Sequence, residues 1–582
     1  MSEFGPKLPI SKEIHQEKYR AKSESFKEAM SRVASALADS TEHYYSFRNA
    51  LLHQRFLPAG RVQSAVGSPR EVTPYNCFVS GIIEDSMASI MDKAKEAAYT
   101  MRLGGGIGYD FSTLRPRGDR IKTLESSSSG PISFMEIFDA VCATVSSSGH
   151  RRGAQMGVLR VDHPDIEEFI RAKQNSTHLT NFNISVGITD DFMEALKQDR
   201  SFDLVFEGRV YKTIRAKILW EQLMRATWDW AEPGVLFIDT INKKNNLNYC
   251  ETIVATNPCG EQPLPPYGAC LLGSFNLVKY IFWQEDGSVY LDTDLFVHDI
   301  HDVVRAMDNV VDYATYPLPE QEVEAKSKRR MGLGLTGVAN AIEYTWDTTY
   351  GSPVFLEALE SILELLRDTA YKASIELAKE KGAFPLYDDR YLEGSFIRTL
   401  PETIRSEIKA HGIRNSHLLS IAPTGTISLT ADNVSSGIEP VFTHQYTRTI
   451  RSFNGARDEV VTDYAYREWG LKGKTADQVT PQEHVQVLTL ASKYVDSACS
   501  KTCNIGSDVT WEEFKNVYIM AYEGGASGCT TFRSAGKRYG VLNASPVATA
   551  DETESEESSD APEDNEGAAC FFDPNTGRRT CE

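Results

Sequence analysis

The feature that most constrains the fold of this chain is a repeated order of strand, turn and helix between about residues 80 and 540. The apolar segment 156–161, MGVLRV, is followed by Pro164 and then by the helical pattern DIEEFIRAK. The segment 182–188, FNISVGI, is followed by Thr189, which can cap the helix that TDDFMEALKQ predicts. Such alternation is typical of parallel strands covered by helices, so we predict an α/β fold.

The two ends of the chain differ from this α/β part. The first fifty residues have a helical stripe of Phe26, Met30, Val33 and Leu37, which we interpret as ordinary packing. Residues 545 to 569 are rich in Glu, Asp, Ser and Ala without any aromatic residue, as is typical of a disordered linker. About 25 flexible residues span roughly 25 to 30 Å, so the segment beyond them can visit a distant site. The predicted parts are a helical region (1–50), an α/β region (51–544), an acidic linker (545–569) and a cysteine-containing tail (570–582).

The charge of the chain argues against a general nucleic-acid binder. The formal net charge is −20, whereas phosphate backbones require clustered Lys and Arg. No apolar run reaches the roughly 18 residues of a membrane span, and the N-terminus lacks the apolar core of a secretory signal. We therefore expect a cytoplasmic chain with no nucleic-acid or membrane partner. Its ten cysteines are then more typical of catalysis, metal binding or inert packing than of structural disulfides.

The most informative stretch is 256–277, TNPCGEQPLPPYGACLLGSFNL, which places Asn257, Cys259 and Glu261 at alternate positions. In an extended segment alternate side chains point the same way, so an amide, a thiol and a carboxylate would share one face. Such a group can combine hydrogen bonding, redox or radical chemistry, and general base catalysis. A turn with an incidental buried cysteine is the alternative that this motif alone leaves open.

Six segments, in order over about residues 50–540, resemble the catalytic chains of ribonucleotide reductases in their class II, adenosylcobalamin-dependent form. The resemblance implies a ten-stranded α/β barrel of two five-stranded halves, with the Cys259 loop inside. The segments are NCFV (76–79), EDSMASI (84–90), GGGIGYDFSTLRPRGD (104–119), RRGAQMGVLRVDHPDIEEF (151–169), NPCGEQPLPPYGAC (257–270) and APTGTISLTADNVSSGIEP (422–440).

The resemblance also implies roles for the residues of the central motif. Cys259 would carry a thiyl radical, Glu261 would take the proton of the substrate 3′-hydroxyl, and Asn257 would orient the same region. Cys77 and Cys270 would deliver two electrons and end as a disulfide. The chemistry supports this division, because removing a 2′-hydroxyl as water needs a proton donor and two reducing equivalents, while abstraction of a hydrogen atom needs a third thiol.

In the same family pattern the tail cysteines Cys570 and Cys581 would pass electrons from thioredoxin or glutaredoxin to the active-site pair. We predict no protein metal site, because no nearby ligands complete the spacing of Cys499 and Cys503. The cysteines outside the motifs are interpreted as packing residues: Cys142, Cys250, Cys499, Cys503 and Cys529.

A further loop resembles the phosphate-binding segment of the family. PTGTIS (423–428) offers small hydroxylated residues and a glycine where a strand precedes a helix, so backbone N–H groups can hold a diphosphate. A simple turn is the alternative. The glycine run 104–108 resembles a close backbone approach to substrate and is not a dinucleotide fingerprint, because a helix-like segment precedes it. The predicted substrate-binding residues are Asn76, Gly105, Gly106, Thr424, Gly425, Thr426 and Ser428.

The resemblance finally implies a site for a deoxynucleotide or ATP effector, and it allows a homodimer. Relatives often have longer polar side chains at the positions of Ser146, Ser147 and Ser148. Which effector selects which substrate therefore stays open. Fifty residues before the barrel-like sequence are too few for an inhibitory ATP-cone, so we expect dATP to change substrate preference without abolishing activity. The predicted effector-binding residues are Asp85, Ser86, Arg115, Arg151 and Arg152, with loops near 122–131 and 146–155.

Other classes fit the sequence less well. Class I chains receive their radical through a C-terminal tyrosine pair, whereas the only Tyr-Tyr here is Tyr44-Tyr45. The segment GGASGC (524–529) is not flanked like the glycyl-radical motif of class III, and no D-x-H-x-x-G motif would place a histidine on cobalt. A nucleotide-binding regulatory protein on a degenerate reductase scaffold would not need the motif and tail cysteines, which are all present here. A thiol-disulfide oxidoreductase would need a C-x-x-C motif, and the sequence has none. Diphosphate and triphosphate substrates both remain open, although the match to dimeric class II chains favours diphosphates.

Overall fold

The structure is a computed structural model that describes most of the chain. The described residues are 4–121, 125–147, 151–152, 154–174, 178–452, 455–533, 536, 570–573 and 578–581. Within these ranges, side chains are not described for 146–147, 151–152, 448–452, 455–458, 570–573 and 578–581. The predicted linker 545–569 therefore lies outside the described residues.

Helices follow strands along much of the chain. Short 3₁₀ helices lie at Leu277–Tyr280, Asp389–Glu393 and Ile397–Thr399. The α-helices are α1 (Pro9–Tyr19), α2 (Phe26–Leu37), α3 (Thr41–Leu52), α4 (Gly60–Ala65), α5 (Met87–Arg102), α6 (Pro131–Thr144), α7 (Ile166–Arg171), α8 (Asp190–Lys197), α9 (Ala216–Trp230), α10 (Ile238–Lys244), α11 (Thr293–Tyr313), α12 (Pro319–Lys328), α13 (Val338–Thr345), α14 (Pro353–Lys381), α15 (Glu402–His411), α16 (Gly425–Thr430), α17 (Tyr464–Trp469), α18 (Pro481–Tyr494) and α19 (Trp511–Glu523).

The strands are mostly short, and several form isolated hairpins. They are β1 (Phe56–Pro58), β2 (Cys77–Val79), β3 (Gly106–Asp110), β4 (Arg120–Ile121), β5 (Ser126–Ser127), β6 (Ser146–Ser147), β7 (Arg151–Arg152), β8 (Gln155–Arg160), β9 (Phe182–Ile188), β10 (Ser201–Phe206), β11 (Arg209–Arg215), β12 (Gly234–Phe237), β13 (Ala255–Thr256), β14 (Pro263–Leu264), β15 (Ala269–Cys270), β16 (Leu272–Asn276), β17 (Ile281–Trp283), β18 (Val289–Leu291), β19 (Gly332–Thr336), β20 (Gln445–Ser452), β21 (Gly455–Thr462), β22 (Thr502–Ile505), β23 (Gly528–Arg533), β24 (Cys570–Asp573) and β25 (Arg578–Cys581).

The strand-turn-helix units that the sequence predicts are confirmed. The MGVLRV segment is β8 and is followed by α7, and FNISVGI is β9 and is followed by α8. Thr189 caps α8, because its hydroxyl accepts a hydrogen bond from the Phe192 N–H. The repeated order of strand, turn and helix in the sequence therefore located these elements correctly.

Two groups of parallel strands carry the fold. In the larger sheet β2, β3, β8, β9 and β12 lie side by side in parallel, and β23 then pairs antiparallel with β12 and parallel with β22. In the second group β16 and β19 are parallel, Leu333 bridges Leu419, and Ile421 bridges Cys499 just before β22. The α/β class is confirmed, whereas closure into a ten-stranded barrel stays a prediction.

The N-terminal part of the chain forms α1, α2 and α3, and it shares its core with the α/β part. Side chains of the predicted stripe, including Met30 and Val33, are buried in one apolar cluster with Val303 of α11 and Leu359 of α14. Burial of apolar surface on this scale is the main favourable contribution to folding. Among the described helices none is long and apolar enough to cross a membrane.

Candidate active site

The central loop is a hairpin turn between β13 and β14, so the prediction of an extended segment is wrong. Asn257 brings the turn together, since its side-chain oxygen accepts hydrogen bonds from the N–H groups of Gly260 (3.1 Å) and Gln262 (3.0 Å). Gly260 has a φ of +82°, a left-handed conformation that favours glycine. The Ser420 hydroxyl donates to the Glu261 carbonyl (2.9 Å) and so ties the turn to the second group of strands.

This turn projects into a cavity that collects residues from distant parts of the chain. Cys259 and Glu261 line it from the turn, Asn76 and Cys77 line it from the start of β2, and residues 422–427 line it from the opposite side. Cys259 and Glu261 are 5% and 1% exposed. The cavity thus holds a thiol and a carboxylate close to further polar groups and shields them from bulk water.

The predicted redox pair lies directly beside the turn. Cys77 and Cys270 are register partners in the antiparallel pair of β2 and β15, and neither is part of a disulfide. Cys77 lines the cavity, while Cys270 is fully buried. Burial raises the pKa of the Cys270 thiol well above its usual range, and the neighbouring Cys77 and Glu261 raise that pKa further. Cys270 is therefore held in its protonated form.

Cys259 itself stands between two cavities. It also lines a second cavity, together with Gly260 and the hydroxyl-bearing Ser500, Thr502 and Thr530. The structure records Cys259 in a disulfide. A thiol at this position would face the two cavities at once.

The hydroxyl groups of the predicted phosphate loop mostly bond to one another. Thr424 lines the cavity, but its hydroxyl contacts those of Thr336 (3.0 Å) and Ser428 (2.9 Å) and accepts from the Gly437 N–H (2.7 Å). Ser428 is buried and does not line the cavity. Pro423, Gly425, Thr426 and Ile427 complete this wall, so the loop presents mainly its backbone and Thr426.

The glycine run follows α5, as predicted, but it packs against protein and does not line the cavity. A Cβ at Gly105 would lie 2.6 Å from the Phe78 ring, and a Cβ at Gly106 would lie 3.1 Å from Cγ of Pro258 in the central turn. The run therefore lets β3 approach the turn closely. Neither Gly105 nor Gly106 is among the residues that line the cavity.

Two buried amides beside the turn retain hydrogen-bonding capacity. Within the described part of the chain, Oδ1 of Asn76 and Nδ2 of Asn257 have no hydrogen-bond partner. A buried polar group without a partner costs roughly 1 to 3 kcal/mol, and such groups in native proteins call for a ligand, water or functional explanation. One acceptor and one donor near Cys259 fit the hydroxyl groups of a bound ribose.

The predicted effector residues are only partly described. The Asp85 carboxylate forms an ion pair with the Arg115 guanidinium (2.6 Å). Ser86 caps α5 by accepting from the Ser89 N–H (3.2 Å). The side chains of Arg151 and Arg152 lie outside the described residues, although both residues form β7. The structure thus brings Asp85 and Arg115 together. The predicted effector loops near 122–131 and 146–155 lie partly outside the described residues.

The tail cysteines are described by their backbone alone. Cys570 and Cys581 are register partners in the hairpin of β24 and β25, and β25 lies beside α16 at the cavity wall. Of the cysteines interpreted as packing residues, Cys503 and Cys529 are buried and hydrogen-bonded to each other, and this contact and burial raise the pKa of Cys529. In the described part of the chain no cluster of His, Cys, Asp and Glu could hold a metal.

Several cavity residues have no signal in the sequence motifs. Lys18 and Tyr19 come from the end of α1, Arg61 and Ser64 come from α4, and Ser274 comes from β16. No local pattern marks them, because they reach the cavity only through the packing of α1 and α4 against the strands. A lysine followed by a tyrosine at the end of a helix is indistinguishable in sequence from ordinary surface residues.

Comparison with known proteins settles the family. A family model described as "Ribonucleotide reductase, barrel domain" matches residues 75–532. The chain belongs to the ribonucleotide reductase family. Its reductase barrel domain thus contains the central turn, the pair Cys77 and Cys270, and the loop at 422–427.

Individual relatives agree with this assignment. The reductase chain is 36% identical over 507 residues to the vitamin B12-dependent ribonucleoside-diphosphate reductase of Thermoplasma acidophilum, covering 81% of this chain and 63% of that protein. It is 34% identical over 570 residues to a Mycobacterium tuberculosis protein of the same name, covering 91% and 79%. A Streptomyces clavuligerus vitamin B12-dependent ribonucleotide reductase is 26% identical over 604 residues, covering 88% and 62%. The predicted resemblance is confirmed. The chain spans less than two thirds of the length of the Thermoplasma and Streptomyces relatives.

Proposed function

We propose that this reductase converts ribonucleoside diphosphates to 2′-deoxyribonucleoside diphosphates by a thiyl-radical mechanism that adenosylcobalamin initiates. The observation that carries the proposal is the single cavity shared by Cys77, Cys259, Glu261 and the loop 422–427. In the overall reaction the 2′-hydroxyl leaves as water. Two thiols give up two hydrogens and become one disulfide, so atoms and electrons balance.

Each residue has a distinct part in this chemistry. The reduced Cys259 exchanges a hydrogen atom with the substrate C3′, and Glu261 takes the proton of the 3′-hydroxyl as general base. Asn257 holds the turn through its oxygen and offers Nδ2 to the substrate. Cys77 and Cys270 supply the proton and the two electrons, which fits the raised pKa that burial gives the Cys270 thiol.

The second cavity at Cys259 is where we propose that adenosylcobalamin acts. Cys259 lines it together with the hydroxyl-bearing Ser500, Thr502 and Thr530, which would offer polar contacts to the part of the cofactor that approaches Cys259. When bound, the cofactor supplies the radical that the Cys259 thiol needs. The names of the Thermoplasma and Mycobacterium relatives support both the B12 dependence and the diphosphate substrate.

The proposed architecture is the ten-stranded barrel of two five-stranded halves. It is supported by the five parallel strands from β2 to β12 and by the antiparallel contact of β12 with β23. In such a barrel the central turn would lie inside, between the two groups of strands. The two halves would then enclose the substrate between Cys259 and the loop at 422–427.

The test of this function is reduction of CDP under defined conditions. We expect dCDP to form only when adenosylcobalamin and a dithiol reductant are present, without oxygen and without a metal-radical subunit, because the segment 529–540, the counterpart of the class I tyrosine segment, contains no tyrosine pair. Product is measured by chromatography, with hydroxocobalamin as the control that lacks the adenosyl group. Full turnover without cobalamin, given a diiron or dimanganese partner protein, would contradict the proposal.

We further propose that the segment around Asp85 and Arg115 belongs to an effector site for a deoxynucleotide or ATP, which a second copy of the chain completes in a homodimer. A ligand shifts an equilibrium only through a site with differential affinity, so dATP should alter which substrate is preferred. Thioredoxin or glutaredoxin is the proposed reductant of the tail.

The effector proposal predicts a measurable change in substrate preference. Rising dATP should redistribute the rates of CDP, ADP and GDP reduction, and Arg115→Ala should raise the dATP concentration needed by about tenfold, as expected for loss of a charge-assisted contact. Arg117→Ala is the matched control, because Arg117 is more exposed and pairs with Glu168. A joint collapse of all three rates would show an inhibitory site instead.

A further inference from the structure

The phosphate loop of the cavity has no charge of its own. PTGTIS contains no ionisable side chain, and the hydroxyls of Thr424 and Ser428 are bonded to each other and to Thr336. A nucleoside diphosphate carries several negative charges at neutral pH, and the chain as a whole has a formal charge of −20. Coulomb repulsion then opposes binding unless local cations offset it.

Two cationic residues line the same cavity from the N-terminal part of the chain. They are Lys18 at the end of α1 and Arg61 in α4. The other ionisable residues lining the cavity, among those the structure describes, are Tyr19, Glu261 and the two cysteines Cys77 and Cys259. Lys18 and Arg61 both precede residue 75, where the match to the family model begins.

Two contacts position α1, the helix whose last turn contains Lys18. The Ser11 hydroxyl donates to the Leu429 carbonyl (2.6 Å), which fixes α1 against α16, the helix that begins within the phosphate loop. At the other end of α1 the Tyr19 ring packs on Gly60, where a Cβ would lie 2.5 Å from the ring. The last turn of α1 is therefore positioned between the phosphate loop and α4.

Arg61 packs against Gly104, the first glycine of the run 104–108. Gly104 has a φ of +94°, and a Cβ there would lie 2.5 Å from Nη1 of Arg61. The guanidinium thus lies directly against the backbone at Gly104, so any side chain at this position would collide with it. Arg61 and Lys18 are half-buried, so their charges are less screened than those of fully exposed side chains.

We propose that Lys18 and Arg61 bind the phosphate groups of the substrate and supply the charge that the loop at 423–427 lacks. This inference rests on the proposed function, because it names how the same cavity recognises a nucleoside diphosphate. Arginine and lysine form charge-assisted hydrogen bonds with phosphate oxygens, and the loop then contributes backbone N–H groups. The N-terminal helices are in this way part of the substrate site.

The test compares CDP with cytidine, which shares the base and ribose but has no phosphate. Calorimetric titration of the full chain should show CDP affinity about tenfold weaker in Lys18→Gln and in Arg61→Gln, with cytidine affinity unchanged. In turnover assays KM for CDP should rise while kcat changes little, as for loss of uniform binding. Lys22→Gln is the matched control, since Lys22 is exposed and does not line the cavity.

The conservative variants Lys18→Arg and Arg61→Lys should retain most of the CDP affinity. This result would distinguish the loss of a positive charge from a folding defect. Equal weakening of CDP and cytidine, or unchanged CDP affinity, would overturn the proposal. Unchanged CDP affinity with loss of thioredoxin-driven turnover alone would assign the two cations to the tail instead. A wild type that binds CDP through both residues but forms no dCDP would refute the proposed function and leave this inference standing.

Discussion

Replacing Cys259 by serine is expected to abolish product formation while substrate still binds. An alcohol O–H bond is stronger than a thiol S–H bond, so serine cannot form the radical that abstracts hydrogen from C3′. We expect turnover to fall by about 10³-fold or more, as is typical when one member of a set of catalytic residues is removed. The measurement is dCDP formed with adenosylcobalamin, together with CDP affinity by calorimetry.

Two kinds of control make this result specific. Cys250→Ser changes an exposed free thiol and should leave the rate unchanged. Cys77→Ser or Cys270→Ser should still permit formation of a substrate radical and then give decomposition products, because the step that removes water lacks its electron donors. Equal multiple-turnover rates in the wild type and Cys259→Ser would refute the radical role of Cys259.

Replacing both tail cysteines, Cys570 and Cys581, is expected to stop turnover driven by thioredoxin. The structural reason is access, because Cys77 is only 6% exposed and Cys270 is 0% exposed, so an external protein cannot reach their disulfide. Disulfide exchange requires contact between a thiolate and a sulfur, which a flexible tail can provide. The prereduced double variant should still complete one turnover, measured as dCDP per active site.

A small reductant separates this role from a structural one. Dithiothreitol should restore part of the multiple turnover in the double variant, because it is small enough to enter the cavity. Cys250→Ser again serves as the thiol control. Thioredoxin-driven turnover that survives unchanged would mean that the tail is only a solubilising extension.

Local sequence determined the secondary structure around the site to a large extent. The apolar runs of β8 and β9 and the cap at Thr189 follow from short-range patterns, so their positions were predictable. The motif residues Cys259 and Glu261 were also predictable as neighbours in one cavity, because they lie two positions apart in the chain. Family resemblance added the pairing of Cys77 with Cys270, which are remote in sequence and register partners in the sheet.

Tertiary structure alone decided the remaining features. The sequence left a turn open at the central loop, and the structure shows that turn, which the Asn257 side chain closes on two backbone N–H groups and Ser420 ties to the second group of strands. The hydroxyls of Thr424 and Ser428 are engaged by Thr336, which is distant in sequence. Lys18 reaches the cavity because α1 packs on α16. Charge at a site depends on which distant segments the fold brings together, so the sequence by itself determined the reacting groups and the fold determined what surrounds them.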